Sequence, residues 1–172
     1  MLIDKNKSTL IIVDVQEKLL SVMPKPYKFL DNIIKLLKAA GILDIQRMYS
    51  EQYPKGLGCT VDKIMKHSPG IRIEKTDFAI PIKNQKIKEQ CIICGIESHI
   101  CVLQTAINLS QNKKVYVVQD AISSRFEKDY LTALNRLDKY PDIEVVSCEM
   151  VLFEWLKKSG TNEFKQISQL IK

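Results

Sequence analysis

Short apolar runs of strand length alternate along this chain with amphipathic segments of helix length, and that alternation restricts the fold more than any other feature. Runs at 9–13, 43–49, 71–74, 90–94, 115–119 and 143–147 read as strands. The central ones, such as Leu10-Ile11-Ile12-Val13 and Cys91-Ile92-Ile93-Cys94, are continuously apolar, the pattern of strands buried on both faces. Between them, Phe29, Ile33, Leu36, Leu37 and Ala40 recur at helical spacing with Gly41 as a stop, and Val102, Thr105, Ala106 and Leu109 repeat the pattern after the fourth strand. Further helical stretches lie at 130–137, 150–157 and 163–171. This order predicts an α/β protein, a three-layer α/β/α doubly wound sandwich on a six-stranded parallel sheet. At 172 residues, against roughly 100–200 per domain, residues 1–172 form a single domain.

Composition excludes several classes. Hydrophobic residues at 45% and charged residues at 27% are ordinary globular values, and no apolar run approaches the roughly 18 residues of a membrane span. The first ten residues show neither a signal segment nor a transit pattern, so the expected location is cytoplasmic and membrane-free. Of 26 basic residues only Arg47, Arg72, Arg125 and Arg136 are arginine, and the lysines are scattered. Without condensed arginine forks, the net charge of +6 reads as a solvated surface, and nucleic acid is a disfavoured partner. Five cysteines without a secretory signal argue for reduced thiols rather than a disulfide framework.

In doubly wound sheets, chemistry sits beyond the carboxyl ends of the strands. Asp14 ends the first strand, either as a pocket acid/base or as the N-cap of the next helix. Lys75 ends the third, where a lysine is commonly a snorkelling surface side chain. Cys91 and Cys94 form a CxxC within an apolar strand and read as core thiols. Cys101 follows a glycine turn near a helix start, where the helix dipole would lower a thiol pKa, although a small core residue fits the position equally. His99 is expected exposed or at a subunit contact, and His67 in a surface turn with Ser68 and Pro69.

Together these strand ends resemble the isochorismatase-like cysteine hydrolases, through LIIVDVQEKL (10–19), EKTDFA (74–79), CGIESHICVLQTAINL (94–109) and VVQDAISSR (117–125). Within that family the chain is similar to the small isochorismatase-domain-containing proteins, through SEQYPKGLG (50–58), EWL (154–156) and EFKQISQLIK (163–172). The resemblance implies a Cys101–Asp14–Lys75 triad, a cis peptide at Ile96-Glu97, and an oxyanion hole from the N–H groups of Glu97 and Cys101. It also implies a homo-oligomer, a dimer or larger. Metal-dependent members carry Asp-x-His after the second strand, where this chain reads Glu51-Gln52-Tyr53, so neither a metal nor another cofactor is expected.

The implied chemistry is hydrolysis of a carbonyl C–N bond in a small amide through a thioester. Gln16, Gln52, Tyr53, Phe78 and Ala79 adjoin the triad positions or follow the second strand and are candidate substrate-binding residues. A different reading is a non-catalytic binding or scaffold protein with RNA or an acidic protein as partner. A redox thiol is a third, and it would need Cys59 or Cys148 as a resolving cysteine.

Overall fold

The computed structural model describes residues 1–67, 70–82 and 85–171. The expected turn at His67 therefore lies partly outside the described residues, as does the last position of the closing motif. Strands β1 (Ser8–Val13), β2 (Gln46–Gln52), β3 (Ile71–Lys75), β4 (Gln90–Ile96), β5 (Lys114–Ser123) and β6 (Ile143–Val146) form one sheet in the order β3-β2-β1-β4-β5-β6. Every neighbouring pair is parallel. The expected doubly wound sheet is thus present, with its reversal of strand order between β1 and β4.

Side-chain alternation along each strand builds the two hydrophobic layers. Leu10, Ile12, Ile92, Cys94, Tyr116 and Val118 face one side, whereas Ile11, Val13, Cys91, Ile93, Val115 and Val117 face the other. Helices α2 (Lys28–Ile42), α7 (Cys148–Leu156) and α8 (Asn162–Ile171) cover the first layer. On the second lie α5 (Leu103–Ser110) and α6 (Glu127–Leu137). The four residues Leu10, Ile11, Ile12 and Val13 have no exposure at all. At about 1.5–3 kcal/mol per fully buried aliphatic side chain, this central strand anchors both cores.

The pattern of 3.6 residues found the long helices but misjudged their ends. Gly41 stops nothing: α2 runs through it to Ile42, and the chain turns at Asp44, which takes φ 52. Strand β2 consequently starts at Gln46 rather than at position 43, and continues to Gln52. Strand β5 continues past Gln119 to Ser123 after a register shift against β4. Three short helices, α1 (Glu17–Leu20), α3 (Pro54–Leu57) and α4 (Asp62–Met65), carry too few residues for periodicity to register. No helix among the described residues is long and apolar enough to cross a membrane.

Cys91 and Cys94 lie on opposite faces of β4, so the CxxC cannot act as a thiol pair, and both are core residues as expected. Cys148 belongs to the layer opposite that of Cys101 and is not placed to resolve it.

Candidate active site

Parallel register brings the candidate residues at the strand ends together. Val13 pairs with Ser50 on β2 and Gln52 pairs with Lys75 on β3, so the ends of β1, β2 and β3 stand side by side. Asp14, one residue beyond β1, takes φ 52 and is fully buried. It caps no helix: Gln16 occupies the N-cap position of α1, and the Asp14 side chain turns inward. Ser50 Oγ donates to Asp14 Oδ1 at 2.6 Å, and Lys75 Nζ donates to Oδ2 at 2.7 Å. Lys75 is no snorkelling residue, since its side chain is 1% exposed. Its ammonium also donates to Gln52 Oε1 at 2.7 Å, Phe78 O at 3.0 Å and Asp77 O at 3.3 Å. These acceptors offset much of the cost of burying the ammonium.

The nucleophile candidate arrives from β4, across the switch point. Gly95 pairs with Val13 and takes φ 129; a Cβ there would sit 2.1 Å from Val13 O, so only glycine permits this approach of β4 to β1. The Ile96–Glu97 bond is trans, contrary to expectation, and the cis bond among the described residues is Lys25–Pro26. The backbone reverses instead through Gly95 and through Glu97 at φ 33, a left-handed conformation that costs a non-glycine residue about 1 kcal/mol or more. A single π turn, Ser98–Val102, follows and carries Cys101 before α5 begins. Such π turns are concentrated at functional sites.

Cys101 is 4% exposed and its thiol is pushed up to about 12, first by burial and then by the facing Asp14 carboxylate, with Lys75 pulling the other way. The helix start does not produce the lowered thiol pKa expected of it. A protonated thiol facing a carboxylate is an arrangement that can react by passing its proton to that carboxylate as the sulfur attacks.

The five residues assigned to substrate binding separate into two groups. Gln16 is fully buried and committed to the main chain: its Nε2 donates to Gln52 O and Gly58 O, and its Oε1 accepts from Gln52 N. It staples the loop after β2 and has nothing left for a ligand. Gln52 likewise spends its side chain on Lys75 and Thr76 O, so it orients the lysine. Tyr53 is exposed and, with Lys55, Thr76 and Asp77, lines a 460 Å³ cavity that reaches Lys75. Phe78 is exposed and Ala79 half-buried, and neither lines that cavity. Glu51, at the place of the metal-dependent motif, accepts from Thr60 N at 2.7 Å and pairs with Arg72 at 2.7 Å.

A family model described as Isochorismatase domain matches residues 58–148. Isochorismatase domain-containing protein 2 of Danio rerio is 34% identical over 173 residues, covering 95% of this chain and 86% of its own length. The chain belongs to the isochorismatase family. Among solved structures of similar fold, the MAR1 ribonuclease of Caenorhabditis elegans superposes with a TM-score of 0.92 at 32% identity, covering 99% of this chain and 92% of the other. The YcaC gene product of Escherichia coli, described as an octameric hydrolase of unknown specificity, shares the fold with a TM-score of 0.87 at 21% identity, covering 99% and 90%. The protein is thus an isochorismatase-like hydrolase domain with the family's α/β architecture.

Two features of this isochorismatase-family site escaped the sequence reading. Ser50 was visible only as part of a motif, because its partnership with Asp14 depends on the β1–β2 register. His99 is neither exposed nor free: its Nδ1 lies 3.0 Å from Ser124 Oγ and 3.4 Å from Glu97 Oε2, and Arg125 Nε donates to Glu97 Oε1 at 2.6 Å. Apart from His99–Glu97, these contacts join residues 25 or more positions apart, and no local spacing announces them.

Proposed function

We propose that this protein is a cysteine hydrolase that cleaves the carbonyl C–N bond of a small amide through a thioester on Cys101. The observation that carries the reading is the buried Lys75–Asp14 ion pair, with the Cys101 thiol raised by that same carboxylate. Asp14 takes the thiol proton as sulfur bonds to the carbonyl carbon and the C=O pair moves to oxygen. Lys75 and the main-chain N–H groups of the loop at Glu97 and Cys101 stabilise that charge. The C–N bond then breaks, Asp14 returns the proton to the departing amine, and it next deprotonates the water that hydrolyses the thioester.

A cavity of 460 Å³ lined by Tyr53, Lys55 and Lys75 suits a small molecule. We further propose a homo-oligomer, which light scattering would reveal as a mass at least twice 19.8 kDa.

The test is a panel of small amides assayed with wild type and Cys101→Ala, with mass spectrometry for an acyl adduct. Turnover by wild type and its loss in the variant support the reading; turnover retained by Cys101→Ala overturns the covalent route. The similar Caenorhabditis elegans protein is named a ribonuclease, which gives RNA a place in the same panel. RNA cleavage sensitive to salt and indifferent to Cys101 would favour the nucleic-acid reading instead.

A further inference from the structure

Beside the triad, and not used by it, a second charged cluster grips the loop that carries the nucleophile. Glu97 holds a left-handed backbone, φ 33, four residues before Cys101. Its carboxylate is only 6% exposed, and Oε1 accepts from Arg125 Nε at 2.6 Å. Oε2 is buried without a hydrogen bond among the described residues and lies 3.4 Å from His99 Nδ1. His99 in turn contacts Ser124 Oγ at 3.0 Å and faces Asp129 of α6 at 3.9 Å. The cluster thus joins the π turn to the end of β5 and the start of α6. A buried carboxylate is costly unless paired, and the pairing cation here is an arginine on a different element. Removing that cation would release the strained turn, because it would leave the buried carboxylate with only the His99 ring beside it among the described residues.

We infer that Arg125 is a positioning residue: through its ion pair with Glu97 it holds the left-handed turn whose main-chain N–H groups receive the developing oxyanion. This rests on the hydrolase reading above, and it assigns Arg125 a role in charge stabilisation rather than in thiol activation.

Two reagents separate those roles at Cys101. With acrylamide, the sulfur adds to the β-carbon, the C=C pair moves through the conjugated carbonyl onto the amide oxygen, and solvent then protonates the α-carbon. An oxyanion develops. With iodoacetamide the sulfur displaces iodide at a saturated carbon, and no charge reaches the carbonyl oxygen.

The experiment measures both rates at Cys101 by peptide mass spectrometry on wild type, Arg125→Gln, Arg125→Lys, Asp14→Asn and the exposed control Arg136→Gln. The exposed Cys59 serves as internal reference. Arg125→Gln is expected to slow acrylamide about tenfold or more while iodoacetamide changes less than about threefold, with millimolar methylguanidinium restoring the acrylamide rate. Arg125→Lys, which keeps the charge without the planar fork, should show a smaller change in the same direction and carries the test if the Gln variant does not fold. Unchanged rates with both reagents, or equal slowing of both, overturn the proposal. Asp14→Asn reports on the triad separately: if it moves neither pH–rate profile, the hydrolase reading fails while the reagent ratio still judges Arg125.

Discussion

Lys75 Nζ and Asp14 Oδ2 lie 2.7 Å apart with side-chain exposures of 1% and 0%, an ion pair sealed between strand ends 61 positions apart in sequence. Asp14 also faces the Cys101 thiol, so in the proposed reaction the carboxylate has two tasks with opposite demands: it accepts the lysine's proton donors and must later accept the thiol's proton.

The two partners should therefore shift the thiol in opposite directions. Cys101 stands near 12, raised by burial and Asp14 and lowered by Lys75. Asp14→Asn should move the pH–rate profile of its iodoacetamide reaction to lower pH, and Lys75→Met should move it higher. Shifts of the same sign would show that the pair does not govern the thiol. Amide turnover should fall in both variants, by about two orders of magnitude or more, because the asparagine cannot take the proton.

Breaking the pair from one side should cost more stability than removing it whole. Lys75→Met leaves a buried carboxylate without its cation, a loss of about 3–5 kcal/mol. The double variant Lys75→Met/Asp14→Asn should recover part of that loss in urea unfolding. A double variant as unstable as the sum of the singles would mean that the charges are not coupled.

Gly95→Ala should fail to fold or lose about 3 kcal/mol or more, since its Cβ would sit 2.1 Å from Val13 O at a φ of 129. Gly160→Ala is the control: it shares a positive φ of 80 but nothing lies within 4 Å, so it should cost about 1 kcal/mol. Similar losses in thermal unfolding for the two would refute the close approach of β1 and β4.

Stability should decline in alkali. Burial raises the thiols of Cys91, Cys94, Cys101 and Cys148 above 9.0, their ordinary value. A raised folded pKa means that the unfolded chain releases protons first. The stabilisation is complete below pH 9 and is lost as pH rises toward 12, with a slope of about 1.4 kcal/mol per pH unit for each thiol. Cys91→Ala should flatten the slope of unfolding free energy between pH 9 and 11; an unchanged slope would assign the alkaline loss to other groups.

The doubly wound sheet was legible in the sequence because strands buried on both faces must be continuously apolar, as 10–13 and 91–94 are. Asp14, Lys75 and Cys101 were legible as residues at strand ends or a helix start, and the family resemblance singled them out as a set. What the sequence could not supply was the side-chain commitments. Gln16 and Gln52 looked like pocket residues, yet the β2–β3 register and the turn at Gly58 absorb them into holding Lys75 and a loop. His99 looked exposed or bound for a subunit contact, yet it lies half-buried between Ser124 and Glu97, and the sequence did not identify Glu97 as the carboxylate that Arg125 meets. Helix position alone pointed to an acidic Cys101, whereas burial and the Asp14 charge, which come only from tertiary packing, raise it. Periodicity is a local property of the chain and fixes which face is buried; hydrogen-bond partners and electrostatic fields are set by residues brought together across the sheet, and only the folded register decides them.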